Sequence, residues 1–249
     1  MKTEWDYTEL AEAYLKRPDY SSEAVDRLIA LSGAKPGDPL CDIGAGAGHL
    51  TLHLARAGFD VTAVEPNDAM RANGINRTAG FPNVRWVDAT AEHTGLADSS
   101  FVMTTFGSSF NVTDRGLALA EAARILKPGG WFACMWNHRD LDDPIQARIE
   151  AIVKESIPEY SYGTRREDQT GVIDQSGLFG PVTTINGMVT HRQDVEDCIG
   201  AWRSHATLER QAGKNFPGVV REIEKYLRGL GTAFLDVPYT TRIWAAAKA

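Results

Sequence analysis

The sequence has little that would suit a membrane or an oxidising compartment. No apolar run approaches the roughly 20 residues that a membrane-spanning helix needs, and the first residues contain no apolar segment typical of a signal peptide. Only three cysteines are present, Cys41, Cys134 and Cys198, and their spacing fits neither a disulfide framework nor a zinc site. We therefore expect a cytoplasmic protein with reduced thiols, no bound metal and no membrane partner.

Positive charge is also scarce. The chain has 26 Lys and Arg residues against 33 Asp and Glu, a formal net charge of −7. This balance repels a phosphate backbone, and no long basic run offsets it, so nucleic acid is not an expected partner. Residues 191–249 differ, because they carry nine basic residues against seven acidic ones. That excess fits either solvated helix faces or contact with an anionic substrate.

Short apolar segments alternate with helical patterns in the first half of the chain. Ser21 and Asp114 are typical helix caps, and the helix after Asp114 is expected to reach Leu126 and to end at Pro128-Gly129-Gly130. The apolar segments are 40–43, 61–65, 84–87, 101–106 and 131–136. Buried strands separated by helices are typical of a parallel α/β sheet. At 249 residues, 43% of them hydrophobic, the chain can bury one large core.

The regular alternation ends after Trp136. Asp143 and Pro144 are typical of a helix start, and residues 158–176 are polar and rich in turn formers, so we interpret 138–180 as an insertion. Further along the chain, the patterns predict a strand at 182–191, helices at 194–212 and 217–229, and a closing strand at 239–247.

The most informative local signal follows the first predicted strand. It reads Cys41-Asp42-Ile43-Gly44-Ala45-Gly46-Ala47-Gly48, and glycine permits both a tight turn and close approach of a ligand to the backbone. Glu65 ends the next apolar segment, about 20 residues downstream, as expected when both sites lie at the carboxyl ends of neighbouring parallel strands. A carboxylate there can accept hydrogen bonds from two ribose hydroxyls. The pair indicates a nucleoside cofactor, with an ordinary surface acid as the alternative for Glu65.

The spacing of the glycines separates two classes of cofactor. The dinucleotide fingerprint G-x-G-x-x-G requires glycine at position 49, which is His49. The Gly-x-Gly-x-Gly pattern after Asp42 instead resembles the first motif of the class I S-adenosylmethionine (SAM)-dependent methyltransferases, of the small-molecule type. Later segments resemble further motifs of that family in the same order: Val64-Glu65-Pro66-Asn67, Val87-Asp88-Ala89 and Leu126-Lys127-Pro128-Gly129-Gly130. The resemblance covers residues 40–136.

The resemblance implies a single domain over residues 1–249. Its fold would be a Rossmann-like, seven-stranded and mostly parallel sheet, with helices on both faces, an antiparallel last strand and a helical lid insertion after strand five. Residues 38–137 would form the SAM-binding core and 1–37 would be cofactor-covering helices. The lid and substrate pocket would come from 138–180 and 193–230.

The resemblance also implies which residues contact SAM. Asp42 would orient the glycine loop or reach the cofactor ammonium through water, Glu65 would bind the ribose, and Asp88 would accept from the adenine amino group. Asn67 and Met70 are expected beside the adenosine, although capping and packing are alternatives. The expected cofactor contacts are Tyr14, Arg17, Asp42, Gly44, Ala45, Gly46, Glu65, Pro66, Asn67, Met70, Asp88, Ala89, Phe106 and Gly107.

Acceptor residues are harder to predict, because methyl transfer depends on alignment and needs a base only when the attacking atom carries a proton. His138 and Asn111 are the catalytic candidates, with ordinary loop roles as alternatives. The expected substrate contacts are Ser109, Asn111, Trp136, Arg139, Tyr160, Arg165, Trp202 and His205. The chain lacks the Asn/Asp-Pro-Pro-aromatic motif of enzymes that methylate nucleobases and glutamine, which argues against those acceptors. Val102 replaces the acid that the family usually has at the head of strand four, so the sequence does not identify a catalytic base.

The sequence therefore predicts a SAM-dependent methyltransferase acting on an O or N atom of a small molecule, anionic or aromatic in character. We expect it to work as a monomer or homodimer. An NAD-dependent oxidoreductase is the first alternative, disfavoured by the glycine spacing. A non-catalytic SAM-binding regulator is the second, and only an acceptor screen separates it from an enzyme.

Overall fold

The computed structural model describes residues 8, 11–203 and 205–249. Its strands are β1 (Pro39–Ile43), β2 (Asp60–Val64), β3 (Val84–Val87), β4 (Phe101–Gly107), β5 (Leu126–Arg139), β6 (Thr183–Asp194) and β7 (Phe234–Ala247). They form one sheet in the order β3-β2-β1-β4-β5-β7-β6. The first five strands are parallel, and β7 runs antiparallel to both β5 and β6. The predicted seven-stranded sheet with an antiparallel last strand is confirmed.

Helices lie between the strands, and local sequence sets several of their starts. They are α1 (Ala11–Tyr14), α2 (Ser22–Ser32), α3 (His49–Arg56), α4 (Asp68–Thr78), α5 (Arg115–Ile125), α6 (Pro144–Ser156), α7 (Thr170–Gln175), α8 (Val195–Arg203), α9 (Ala206–Ala212) and α10 (Phe216–Gly229). The side chains of Ser21, Asp114 and Asp143 accept hydrogen bonds from the first turns of α2, α5 and α6. These three helix starts match the sequence prediction.

Three groups of buried apolar side chains hold these elements together. One lies on the α5 and α7 face of the sheet and includes Phe106 and Phe132. The second lies on the α2 and α3 face and includes Leu28. The third joins α6, α8, α9 and α10, which we call the helical cap, and includes Ile223 and Trp202. The cap therefore has a core of its own beside the two faces of the sheet.

The structure differs from the sequence prediction where β5 begins. We expected the preceding helix to reach Leu126 and the turn at Pro128-Gly129-Gly130 to precede the strand. Instead α5 ends at Ile125, and Leu126 is extended, fully buried and paired with Phe101 in β4. Pairing in the buried sheet outweighs the helical periodicity there.

Two other boundaries differ. The single helix expected at 194–212 is two helices, α8 and α9, because the His205 side chain accepts a hydrogen bond from the Leu208 N–H at 3.1 Å and starts a new helix. Strand β7 begins at Phe234 rather than Tyr239. Histidine is an uncommon N-cap, so no sequence signal indicated this break.

The topology brings the predicted motifs to one edge of the sheet. Strands β1, β2 and β4 are neighbours or next neighbours and end at Ile43, Val64 and Gly107. Because they are parallel, the segments that follow them meet at their carboxyl edge. Within the described residues, no helix combines the length and apolarity needed to cross a membrane.

Candidate functional site

The glycine loop joins β1 to α3 with backbone angles that favour glycine. Gly44, Gly46 and Gly48 have φ values of 65°, 55° and 78°. A Cβ atom on Gly44 would lie 2.4 Å from the Cβ of Ser109. The Ser109 hydroxyl donates to the Ile43 carbonyl at 2.7 Å and is 7% exposed. The Ser109 side chain thus packs against the glycine loop, and its contact with a substrate stays a prediction.

Glu65 connects the end of β2 to the glycine loop. The Gly46 N–H donates to Oε2 at 2.8 Å, and the Asn67 N–H donates to Oε1 at 2.9 Å. The side chain is 7% exposed, and burial raises its pKa in spite of these bonds. A carboxylate has about four lone-pair positions, so both oxygens retain capacity for a further donor. This arrangement fits a ribose with two hydroxyls.

Asp42 lies fully buried beneath the same loop. Its Oδ2 accepts from the Thr51 hydroxyl at 2.6 Å, and its Oδ1 accepts from the Thr105 hydroxyl at 3.0 Å. Burial raises its pKa to about 6, although both hydrogen bonds lower it. These contacts join β1, α3 and β4. Two roles were predicted for Asp42, and these hydrogen bonds agree with the one in which Asp42 orients the glycine loop.

The first turn of α4 lies beside the glycine loop. Asn67 caps this helix, since its Oδ1 accepts from the Met70 N–H at 3.0 Å. Met70 is 4% exposed, and its Cε would lie 3.2 Å from a Cβ on Gly46. Both residues therefore make the capping and packing contacts that were the alternative interpretations. The ribose-side segment continues through Pro66, which is half-buried.

Asp88 follows β3 at the same edge and keeps an exposed carboxylate. It lies 3.3 Å from Arg71, whose guanidinium also donates to the Glu65 carbonyl at 2.8 Å. Ala89, the next residue, is half-buried. Arg71 thus links the two acids predicted to bind ribose and adenine. Sequence reasoning missed it, and its position four residues after the Asn67 cap was the only available signal.

Residues 11–20, which we call the strap, cross the carboxyl edge of the sheet. Their contacts are Ala11 O with Asn73 Nδ2 (3.0 Å), Lys16 with Asp197 (2.5 Å), Asp19 with Arg77 (3.1 Å), Asp19 O with Asn137 Nδ2 (3.0 Å) and Tyr20 Oη with Ser108 Oγ (2.9 Å). These contacts attach the strap to α4, β4, β5 and α8. Residues 1–7, 9 and 10 of the predicted 1–37 region lie outside the described residues.

Two strap residues predicted to contact SAM stack on each other. The Arg17 guanidinium carbon lies 3.5 Å from the centroid of the Tyr14 ring, and Arg17 is exposed. Tyr20 of the strap was not among the predicted site residues. Its ring lies over Gly107, where an added Cβ would be 3.0 Å from Oη. Its partner Ser108 has φ 59°, an unusual value for a side chain of this kind and a sign of local strain.

The residues after β4 and β5 separate into two groups. Asn111 accepts a hydrogen bond from Trp136 Nε1 at 2.9 Å, and Trp136 is 3% exposed. Alternation along β5 puts His138 on the Trp136 side of the sheet and Arg139 on the other. The Phe106 ring is fully buried in the core, so only its backbone is placed to contact a cofactor, and this contact stays a prediction. Gly107 remains half-buried at the strand end.

The second group lies between the sheet and the helical cap. Arg139 Nε donates to Tyr239 Oη at 3.2 Å, and its guanidinium carbon lies 4.3 Å from the centroid of the Trp202 ring. The His205 ring stacks on the Trp202 ring, with the two ring centroids 5.1 Å apart. Tyr160 packs edge-on against Tyr162 at 5.2 Å. The side chain of Arg165 lies outside the described part of the chain.

No group of three His, Cys, Asp or Glu side chains suited to a metal ion occurs among the described residues. Cys41, Cys134 and Cys198 are buried and free. Burial raises the pKa of all three thiols. Thiolate chemistry is therefore not favoured at these positions.

Comparison with known proteins agrees with this geometry. A family model described as a methyltransferase domain matches residues 41–134. A ubiquinone/menaquinone biosynthesis C-methyltransferase of Caulobacter vibrioides is 32% identical over 179 residues, which are 66% of this chain and 70% of that protein. The chain belongs to the class I S-adenosylmethionine-dependent methyltransferases.

Other methyltransferases match over different lengths of the chain. An uncharacterised methyltransferase of Mycobacterium tuberculosis is 36% identical over 124 residues, 50% of this chain and 48% of that protein. The alignment thus spans about half the length of this relative. Among solved structures, a type II methyltransferase of Anaeromyxobacter dehalogenans is 22% identical with a TM-score of 0.66, covering 93% of this chain and 97% of that one. This last likeness concerns the fold.

Proposed function

We propose that this chain transfers a methyl group from SAM to an oxygen or nitrogen atom of a small-molecule acceptor with anionic or aromatic character. The carrying observation is the Glu65 carboxylate, which joins the Gly46 N–H of the glycine loop to the Asn67 N–H of α4. When bound, SAM supplies the methyl group and the positive charge of its sulfonium. The residues of the chain hold and align the reactants.

The roles at the cofactor end follow from the donors and acceptors present. Glu65 would accept from the ribose hydroxyls, and Asp88 from the adenine amino group. The loop from Gly44 to Gly46 would face the methionine portion, with Ala45 between them. The strap would cover this end, with Arg17 pairing with the cofactor carboxylate and Tyr14 beneath it. Asp42 would position the loop through Thr51 and Thr105.

The acceptor end is lined by groups that orient more than they ionise. The hydroxyls of Tyr20 and Ser108, 2.9 Å apart, follow β4 together with the Asn111 amide. Burial raises the pKa of Tyr20, so its hydroxyl stays protonated at neutral pH. Such a lining suits an attacking atom with a lone pair already free, as in an amine or an oxyanion. His138 would serve as base where the attacking atom carries a proton.

Transfer to carbon is a second candidate, because the Caulobacter vibrioides relative is named a C-methyltransferase. The two candidates differ in the product formed and in the need for a base. We also propose that the helical cap acts as a lid over a single catalytic domain. The three free cysteines support a cytoplasmic location, and the net charge of −7 argues against nucleic acid as a partner. The chain would work as a monomer or homodimer.

Calorimetric titration of SAM, S-adenosylhomocysteine and NAD tests the cofactor assignment. Heat on mixing with the first two and none with NAD is expected. A labelled-methyl screen of amines, phenols, carboxylic acids and carbon acids then tests transfer, with the product atom identified by NMR. Tight NAD binding would favour the oxidoreductase, and SAM binding without any methylated acceptor would favour the regulator.

A further inference from the structure

An arginine at the end of β5 lies against the helical cap in surroundings that hold no acid. Arg139 is the last residue of β5 and contacts Trp202 of α8, and no carboxylate of the described residues is within ion-pair distance of it. By contrast, Arg203 and Arg228 of the same cap pair with Glu224 at 2.7 and 3.1 Å. The chain has an excess of acids, 33 against 26 bases, so the exclusion of acids from Arg139 is a feature of this site and not of the composition.

The orientation of the Arg139 guanidinium is fixed on two sides. Its Nε donates to Tyr239 Oη at 3.2 Å, and its plane lies over the Trp202 ring with the central carbon 4.3 Å from the centroid. The two terminal nitrogens have no acceptor among the described residues. A guanidinium held in this way presents parallel N–H groups, which match the two oxygens of a carboxylate.

A second donor lies on the ring beneath the guanidinium. Trp202 is 4% exposed, and its Nε1 is buried with no hydrogen-bond partner among the described residues. Buried N–H groups nearly always have an acceptor, so an orphaned one points to a group that is supplied from outside the chain. This observation is independent of the Arg139 contacts.

The two donors lie close enough for one ligand to reach both, since the guanidinium carbon is 4.3 Å from the centroid of the ring that carries Nε1. Other polar groups nearby are the phenols of Tyr239, which contacts Arg139, and of Tyr162, which hydrogen bonds to Glu150, and the His205 imidazole, which stacks on the Trp202 ring. The Glu150 carboxylate is thereby directed to Tyr162 and also pairs with Lys154 at 3.1 Å. The position thus gathers donors and keeps acids away from them.

We propose that Arg139 and Trp202 Nε1 bind a carboxylate of the methyl acceptor. This inference rests on the proposed function and narrows its acceptor to a carboxylate-bearing small molecule. The carboxylate serves as an anchor and is not the attacking atom. A planar group with two oxygens satisfies the guanidinium fork and the indole N–H together, whereas a neutral amide offers one acceptor and would bring its own N–H groups against the donors.

The test follows the indole N–H signal of Trp202 by NMR in ¹⁵N-labelled protein, assigned with Trp202→Phe. Acetate, benzoate and succinate are titrated against their neutral counterparts acetamide, benzamide and succinamide, with and without S-adenosylhomocysteine. We expect a saturable downfield shift with at least one carboxylate and none with the amides. Phenyl phosphate is titrated in the same way as a competing anion. Absence of a shift with all three carboxylates overturns the inference, as does a shift that only phenyl phosphate produces.

Variants separate the anchor from a structural role of the arginine. Arg139→Met should weaken carboxylate binding at least about 10-fold, and Arg139→Lys should fall between it and the parent, since lysine keeps the charge without the fork. Arg148→Met is the matched control, because Arg148 is exposed and pairs with Glu155 at 2.7 Å. Equal binding by Arg139→Met and Arg148→Met overturns the inference.

Two further measurements cover a failure of the arginine variants to fold. Trp202→Phe keeps an aromatic ring under Arg139 and removes the N–H together with the fused five-membered ring that carries it, so calorimetry should show benzoate binding about 5-fold weaker. Unchanged binding in this variant removes Trp202 Nε1 from the anchor. Binding of S-adenosylhomocysteine is measured on every sample. If the parent protein does not bind it, the proposed function is refuted, and the carboxylate result is then judged by itself.

Discussion

In the cofactor half of the molecule, functional side chains are positioned mainly by backbone groups. Glu65 accepts from two backbone N–H groups, and Gly44 is required by its φ of 65° and the closeness of Ser109. Where β5 and β7 meet the helical cap, the Arg139 guanidinium is positioned by other side chains, those of Tyr239 and Trp202. The first half thus depends on local chain geometry, and the second on contacts between distant elements.

This difference has a consequence for what each half can recognise. Backbone donors and a fixed acid suit a ligand that never changes, such as the common cofactor of a family. Side chains on separate helices can be replaced one at a time, so the acceptor can differ between relatives while the cofactor site stays the same. The variants below test this contrast, from the largest expected effect to the smallest.

Gly44→Ala should have the largest effect on SAM binding, confined to the cofactor half. The new Cβ would lie 2.4 Å from Ser109 Cβ, and alanine is strained by about 1–2 kcal/mol in the left-handed backbone. Together these should weaken SAM binding about 100-fold, as measured by calorimetry. Gly80→Ala is the control, since nothing lies within 4 Å of its added Cβ. Equal affinities for the two variants would contradict the importance of the loop geometry.

Ile223→Ala should have the opposite effect, because it should lower the stability of the helical cap and leave the cofactor half unchanged. Ile223 is fully buried in the core of the helical cap, and such truncations lower the free energy of unfolding by about 2–5 kcal/mol. SAM affinity at low temperature should stay near that of the parent. Ile75→Ala, at a residue 45% exposed, provides the comparison in urea denaturation. A matching loss of SAM affinity would show that the cofactor site depends on the cap.

Asp42 makes stability depend on pH within the cofactor half. Burial raises its pKa from 3.8 to about 6, so the folded protein holds this proton more tightly than the unfolded chain does. The associated stability is present at low pH and is lost as the pH rises through 6. Relative to Asp42→Asn, the parent should therefore lose about 2 kcal/mol of unfolding free energy between pH 4 and pH 7.

Urea denaturation at both pH values measures this difference, and Asp60→Asn is its control because Asp60 is exposed at the start of β2. A parent and an Asp42→Asn variant whose stabilities run parallel with pH would show that Asp42 titrates as a solvated acid.

Glu65→Ala removes the acid that joins the loop to α4. SAM binding should weaken by about 1–3 kcal/mol, the range for the loss of hydrogen bonds to a charged group. Glu222→Ala, an exposed acid on α10, should leave it unchanged. Calorimetry at constant ionic strength measures both. An unaltered affinity in Glu65→Ala would remove Glu65 from the ribose role.

Tyr20→Phe should have the smallest effect, because it removes one hydrogen bond and keeps the ring over Gly107. Loss of the 2.9 Å contact with Ser108 should loosen the strap by about 1 kcal/mol. Hydrogen exchange of residues 11–20 should quicken, while Tyr226→Phe in the cap should leave it as in the parent. Unchanged exchange would show that the ion pairs of the strap hold it without Tyr20.

The same contrast explains what sequence could predict. The glycine loop, Glu65 and the caps at Ser21, Asp114 and Asp143 depend on neighbours within a few residues, so the pattern alone located them. The seven-stranded, mostly parallel sheet with an antiparallel last strand was implied by the resemblance to a family. Segments governed by local rules were therefore predicted closely.

The remainder depends on residues far apart in the chain. The contact of Arg139 with Tyr239 joins positions separated by 100 residues and requires the register of β5 against β7. The support given by Ser109 to Gly44, and the link from Arg71 to Glu65 and Asp88, need the packed sheet to be known. No spacing rule specifies such pairs.

One strand belongs to every buried core of the molecule. In β7, Leu235 and Tyr239 pack in the helical cap, whereas Ile243 and Trp244 pack on the two faces of the sheet. Unfolding of this strand would expose apolar surface in all three cores, which couples the helical cap to the sheet. We expect heating to produce one cooperative transition in calorimetry, with the cap and the sheet losing order at the same temperature.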